Sequence, residues 1–308
     1  MNRTRIGWCD YSSNPVAFRR KSDGKRGWHC VKISAGCAHC YSEAIDGRFG
    51  MQLPFTQRSS AEVEPFLVQK ELDALGKVPA GSKVFLFDMT DLFLDEIPWS
   101  MLDQVFGRIA YHRRVIFQIL TKRIEKAHAY FKRKNHWGAA AVYRDLVYGP
   151  DSGVGVGDGL SHWPPQNVWL GVSCEDQKAA DERIPLLLQI PAAVRFVSAE
   201  PLLGPIDFER SRYGMQCNWL TGEEWSPALA RGGDRSKALS WVIVGGESGP
   251  KRRECEVEWI ASIADQCRAA NVPVFVKQDS GPRDGMQGRI PDDLWSLKQF
   301  PGDAPCTA

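Results

Sequence analysis

Short runs of consecutive apolar residues recur along this chain, spaced widely enough to leave room for a helix between each and the next. Lys83-Val-Phe-Leu-Phe-Asp88 is the first clear run. Val115–Leu120, Val168–Val172, Val194–Ser198, Trp241–Gly245 and Val272–Lys277 follow it. A run that is apolar at nearly every position predicts a strand covered on both faces, the condition met in parallel sheets flanked by helices. The intervening segments carry helical spacing: Met101, Val105 and Ile109 recur at four-residue steps, and Val257, Ile260, Ala264 and Cys267 share one face. Cys267 is therefore expected in the core. The predicted architecture is α/β, a full or partial (β/α) TIM-type barrel forming a single domain over residues 1–308. Two stretches, about 135–166 and 207–239, read as long irregular insertions between its units.

Polar residues follow each apolar run. Asp88-Met-Thr-Asp91, Thr121-Lys-Arg123, Ser173-Cys-Glu175, Glu200-Pro201, Gly245-Gly-Glu-Ser-Gly249 and Lys277-Gln278 occupy the six positions. In a parallel barrel these carboxyl ends face one mouth, where active sites are built. Any one has a structural reading, since Asp88 or Glu200 serves equally well as a helix cap or a partner for Arg123. Six together argue for a site.

Composition changes this picture little. The chain has 308 residues, 43% hydrophobic, with net charge +2 and pI near 8.0. Those values exclude disorder and do not mark a nucleic-acid binder. Basic residues do cluster at Arg19, Arg20, Lys21, Lys25 and Arg26 and again at Lys251-Arg252-Arg253, as solvated loops or as phosphate contacts. No apolar stretch reaches the ~18 residues of a membrane span, and the N-terminus lacks an apolar signal core, so a cytoplasmic protein is expected. In that reducing compartment nine cysteines, an odd number, argue for metal binding where they cluster rather than for a disulfide framework.

They cluster once, at Cys30, Cys37 and Cys40 in a loop spanning about 28–41. Electron-transfer clusters are normally closed by four thiolates and structural zinc by four Cys or His ligands, so a triplet leaves one iron of a [4Fe-4S] cluster open to chemistry. The competing reading is a structural zinc completed by Cys9, His29 or His39. Other motifs fail on spacing. Gly153-Val-Gly-Val-Gly-Asp-Gly159 does not fit a dinucleotide fingerprint, and no Walker motif, helical His pair or Gly-x-Ser-x-Gly elbow is present. Cys174 reads as a space filler or a hydrogen-atom donor; Cys255 and Cys306 have no assignable role.

The motifs Asn14-Pro-Val16, Cys30-x6-Cys37-x2-Cys40-Tyr41, Leu120-Thr-Lys-Arg123, Trp169-Leu-Gly-Val-Ser173, Arg195-Phe-Val-Ser-Ala-Glu-Pro-Leu-Leu203, Val242-Ile-Val-Gly-Gly-Glu-Ser-Gly-Pro250 and Phe275-Val-Lys-Gln278 resemble those of a phage-associated family of uncharacterised proteins with a three-cysteine motif. The likeness runs from about residue 6 to about 300. That family in turn resembles radical S-adenosylmethionine (SAM) enzymes. The resemblance implies a [4Fe-4S] cluster on Cys30, Cys37 and Cys40, with SAM chelated by its open iron and cleaved reductively to start a radical reaction on a nucleobase or nucleic acid. It implies a flavodoxin- or ferredoxin-like electron donor and no membrane partner. On this reading Asp88, Asp91, Ser173, Glu175, Glu200, Gly245, Gly246 and Glu247 are the candidate cofactor contacts, and Lys122, Arg123, Lys277 and Gln278 face substrate.

Two departures bear on those roles. The superfamily's usual cysteine spacing is three residues and then two, against six and two here. Its Gly-Gly-Glu segment usually follows the strand after the cluster, whereas Gly245-Gly246-Glu247 lies far downstream, leaving Asp88 and Asp91 as rivals for the methionine amino group. Arg210, Arg212, Tyr213, Trp219, Trp225, Arg231 and Arg235, in the second insertion, mix aromatic and basic residues as single-strand binders do. The alternative function is accordingly a zinc-stabilised nucleic-acid-binding phage protein without catalytic activity.

Overall fold

The computed structural model describes residues 1–308 except 134, 135, 154, 156–159, 161, 213, 214, 227, 228, 235, 236 and 303–308. The fold is mixed α/β. It divides into two compact units, residues 1–169 and 170–308.

In the first unit the strands are β1 (Asn2–Arg3), β2 (Tyr11–Ser13), β3 (Val16–Arg20), β4 (Arg26–Gly27), β5 (Val63–Leu67), β6 (Lys83–Leu86) and β7 (Ile116–Thr121). Its helices are α1 (Tyr41–Phe49), α2 (Gln57–Ser60), α3 (Gln69–Leu72), α4 (Trp99–Tyr111), α5 (Ile124–Phe131) and α6 (Trp137–Tyr148). β6 and β7 run parallel with Lys83 opposite Ile116 and Leu86 opposite Ile119, and the apolar side chains that predict them are buried. β2 lies parallel to β6 on its other side. It is a strand the hydrophobic pattern misses, because Tyr-Ser-Ser offers no apolar run. The cysteine loop thus follows a parallel strand of the sheet instead of preceding all of them. Between β2 and the loop the chain makes a small sheet, β4-β3-β5, through which Val16 and Phe18 enter the core.

The stretch read as a first insertion holds helix α6. Gly107 of α4 lets it pack closely, since a Cβ there would stand 2.6 Å from the Ala139 carbonyl and from Val142. Most of the glycine-rich run 153–159 lies outside the described residues.

Strand β8 (Val168–Ser173), buried throughout, leads into the second unit. There follow α7 (Gln177–Leu187), β9 (Val194–Ala199), β10 (Glu209–Arg212), β11 (Met215–Asn218), β12 (Glu223–Ser226), β13 (Leu229–Gly233), β14 (Trp241–Gly245), α8 (Val257–Ala270), β15 (Val274–Gln278) and α9 (Asp292–Trp295). β9, β14 and β15 are parallel, with Trp241 opposite Phe196 and Val242 opposite Val274. The strand order of the eight-stranded sheet is β1-β2-β6-β7-β8-β9-β14-β15. α8 buries Ile260, Ile263, Ala264 and Cys267, as its spacing predicts, while Val257 is half-buried.

The second insertion is not an irregular loop. Strands β10–β13 form a four-stranded antiparallel sheet. Tyr213, Arg235 and the side chains of Arg212, Trp225 and Arg231 lie outside the described set, whereas Trp219 is buried and Arg210 pairs with Asp181. Among the described residues no helix is long and apolar enough to cross a membrane.

Candidate metal centre

The cysteine loop is held at both ends by one turn, Asp88–Asp91, at the carboxyl end of β6. Upstream of Cys30, the Thr90 hydroxyl donates to the His29 carbonyl. Downstream of Cys40, the Tyr41 and Ser42 hydroxyls in the first turn of α1 donate to the carbonyls of Asp88 and Met89. Asn14, just after β2, braces the same turn: its Nδ2 donates to Asp88 Oδ1 at 2.6 Å and its Oδ1 accepts from the Met89 amide at 3.1 Å. The turn itself is strained. Phe87, buried and bulky, has φ 68°, in the left-handed region that such a side chain rarely adopts.

β7 contributes the adjacent strand end. Asp91 accepts from Thr121 Oγ1 at 2.8 Å, from the Lys122 amide at 3.0 Å and from the Phe93 amide at 2.9 Å. Arg123 lies 3.4 Å from Asp91 and donates to the Val31 carbonyl at 2.6 Å and to Cys30 Sγ at 3.8 Å. Burial opposes the Arg123 charge, but Asp91 and the Cys30 sulfur outweigh it and raise the guanidinium pKa.

Burial pushes the Cys30 thiol up to about 12, with Arg123 pulling the other way. Burial also raises Cys40, against the backbone amides of Glu43 and Ser42 at the start of α1. Cys37 closes a short 3-10 turn, Ala35–Cys37, with its sulfur 3.7 Å from Ser34 Oγ. The three sulfurs lie near enough for Cys37 and Cys40 to raise Cys30 further. Among the described residues no three Cys, His, Asp or Glu side chains are drawn into a closed ligand set. The donor set nevertheless fits a thiophilic metal group, since buried thiols that resist ionisation become thiolates once a metal supplies the charge.

Two of the three candidate fourth zinc ligands are engaged elsewhere. Cys9 precedes β2 beside Lys83, at the amino ends of β2 and β6, whereas the cysteine loop is tied to the carboxyl end of β6. His29 is fully buried between Phe18 and Phe55, with Nε2 2.9 Å from Ser60 Oγ. His39 is exposed within the loop.

The remaining candidates lie in the second unit, and most serve its own packing. Glu175, 1% exposed, receives Arg183 Nη1 at 2.8 Å, and the same nitrogen donates to the Ser173 carbonyl at 2.6 Å. Glu247, read as an acceptor for an ammonium, is bound by Arg253 through two nitrogens at 2.9 and 2.7 Å. Gly246 leaves room for the chain itself: a Cβ there would meet the Ser280 amide at 2.4 Å. Gly245 similarly lies against Gln278. Gln278 is buried, donating to the Gly246 carbonyl and accepting from the Gly285 amide. Lys277 contacts Glu200 and Asp284; burial works against its charge, but these carboxylates raise its pKa.

Asn14, Tyr41, Ser42, Thr90 and Thr121 form the clamp without having been singled out from sequence for a role. Asn14, Tyr41 and Thr121 stood inside motifs, but as small polar residues with many uses.

A three-thiol loop clamped to the carboxyl ends of parallel strands defines the class: a mixed α/β protein with a candidate sulfur-ligated metal centre. The chain belongs to the family described as protein of unknown function DUF5131, whose model matches residues 3–289. No curated protein and no solved structure matches it.

Proposed function

We propose that this protein is a radical SAM-type enzyme of partial-barrel fold, with a [4Fe-4S] cluster on Cys30, Cys37 and Cys40, working in the reducing cytoplasm. The observation that carries this reading is the clamp. Hydrogen bonds from Thr90 at one flank and to Asp88 and Met89 at the other tie the cysteine loop to a single strand-end turn. A structural zinc knuckle needs no such attachment to strand ends, whereas a catalytic cluster has to be fixed where its substrate and cofactor bind.

When bound, the cluster would supply the electron that cleaves the sulfonium of SAM. The chain's own residues would do the rest. Arg123 places a positive charge against Cys30, favouring the more reduced cluster. Asp88, a carboxyl retained in a half-buried position, is suited to accept from a cationic amine such as the methionine amino group. In the second unit, Lys277 between Glu200 and Asp284 is the charged group that best keeps a substrate-facing reading.

Anaerobic purification with iron and sulfide analysis tests the proposal, and about four of each per chain are expected. Dithionite and SAM should then yield 5′-deoxyadenosine, and alanine at Cys30, Cys37 or Cys40 should abolish it. Zinc without sulfide would overturn the proposal, as would a fully loaded cluster that never cleaves SAM.

A further inference from the structure

Helix α1 is amphipathic the wrong way round. Its buried residues are Ser42 and Asp46. Its exposed side carries Tyr41, Ile45 and Phe49 at four-residue steps, 53%, 37% and 80% exposed, with Ile33 of the cysteine loop 48% exposed. Folding accounts for the polar inner face. Asp46 is fully buried and accepts from the amides of Trp28, Met51 and Gln52, so it ties the end of α1 to the start of the cysteine loop. Nothing in that arrangement requires an apolar outer face, and exposing one is costly unless it is covered in use.

Charge identifies what covers it. Residues 17–60 hold eight Lys and Arg against three Asp and Glu, a net of +5 in a chain of net +2, so the rest of the chain stands at −3. None of the three acids is left to offset the patch. Asp46 is spent on backbone amides, Asp23 pairs with Arg20, and Glu43 pairs with Lys32 and accepts from the Phe55 amide. Arg48 is exposed on α1 itself, and Lys25, Lys32 and Arg58 are exposed on the flanking segments.

We infer that the outer face of α1, with its basic surround, docks a small acidic one-electron carrier protein of the flavodoxin or ferredoxin kind. The inference rests on the cluster reading and extends it to a partner. Cys40 is the N-cap of α1, so a protein seated along this helix lies within its length, about 13 Å, of the thiols. Redox partners use small, weak interfaces steered by opposite charge, which suits a nine-residue helix. Aliphatic side chains at helical spacing fit a protein groove better than a nucleic acid, whose bases stack on aromatic rings. In the transfer one electron leaves the carrier's reduced flavin and the oxidised cluster gains it; no bond forms or breaks.

The test uses the double variant Ile45→Asp/Phe49→Asp. Both residues are exposed, and circular dichroism checks that the fold persists. Calorimetry with an acidic flavodoxin, on the protein as purified, should show at least about tenfold weaker binding for the variant, and binding to the wild type should weaken with salt. Reduction of the loaded cluster by flavodoxin should slow to match, while reduction by dithionite stays unchanged. Equal binding and equal flavodoxin reduction in both proteins would overturn the inference. So would a single-stranded oligonucleotide that binds through the same two residues and displaces flavodoxin. Protein lacking iron and sulfide that still binds flavodoxin through α1 would overturn the cluster reading and support the docking surface.

Discussion

Asp88 shows how one side chain can report the tension between folding and use. Burial raises its pKa, partly offset by the hydrogen bond from Asn14. A carboxyl raised in the folded state stabilises the fold below its unfolded pKa and loses that contribution as pH climbs through the folded value. At neutral pH the ionised group therefore costs stability. Asp88→Asn keeps an acceptor for Asn14 and removes the charge, so the variant should melt higher than wild type at pH 7. The difference should vanish in acid, where wild-type Asp88 is protonated; thermal melts at both pH values check this, and a lower melting point at pH 7 would refute it. Sequence exposes Asp88 because a carboxylate after an apolar run is conspicuous. It does not expose Asn14, because that role depends on where β2 sits.

Helices and strands were legible in proportion to how one-sided their burial is. The six apolar runs became β6, β7, β8, β9, β14 and β15, shifted by a residue or two at their ends. β2 was not legible, being three residues of mixed character. β10–β13 lack continuous apolar runs, since antiparallel strands can leave one face in water. For the same reason the polar strand ends looked uniform in sequence but divide into two kinds in space. Glu175 belongs to the structural kind, joining the end of β8 to α7 through Arg183. Glu175→Gln would leave a buried guanidinium uncompensated and should destabilise by about 3 kcal/mol in urea unfolding, a loss unrelated to cofactor. An unchanged midpoint would return Glu175 to the list of ligand contacts.

The whole chain carries a near-neutral charge and a balanced composition, and both averages conceal local organisation. The +5 segment disappears into a total of +2. The thiols likewise gain meaning only from the first unit, where residues far apart in sequence hold their loop. If those thiols receive a metal group, binding should stabilise that unit preferentially. Hydrogen exchange of residues 28–42 and 88–91 should slow after anaerobic reconstitution and recover on chelation, while α8 and β15 change little. Uniform slowing across both units, or none, would count against a site confined to the first.

The double attachment of the cysteine loop also bears on its unusual spacing. With both flanks already fixed, the chain between the first two thiols is a short tether whose ends are held in place. The entropy of closing such a tether grows only with the logarithm of its length, so six residues in place of three cost about 0.6 kcal/mol. Spacing is then a weak constraint and anchorage a strong one. A search for relatives of this centre should follow the residues that tie the loop down and let the number between the cysteines vary.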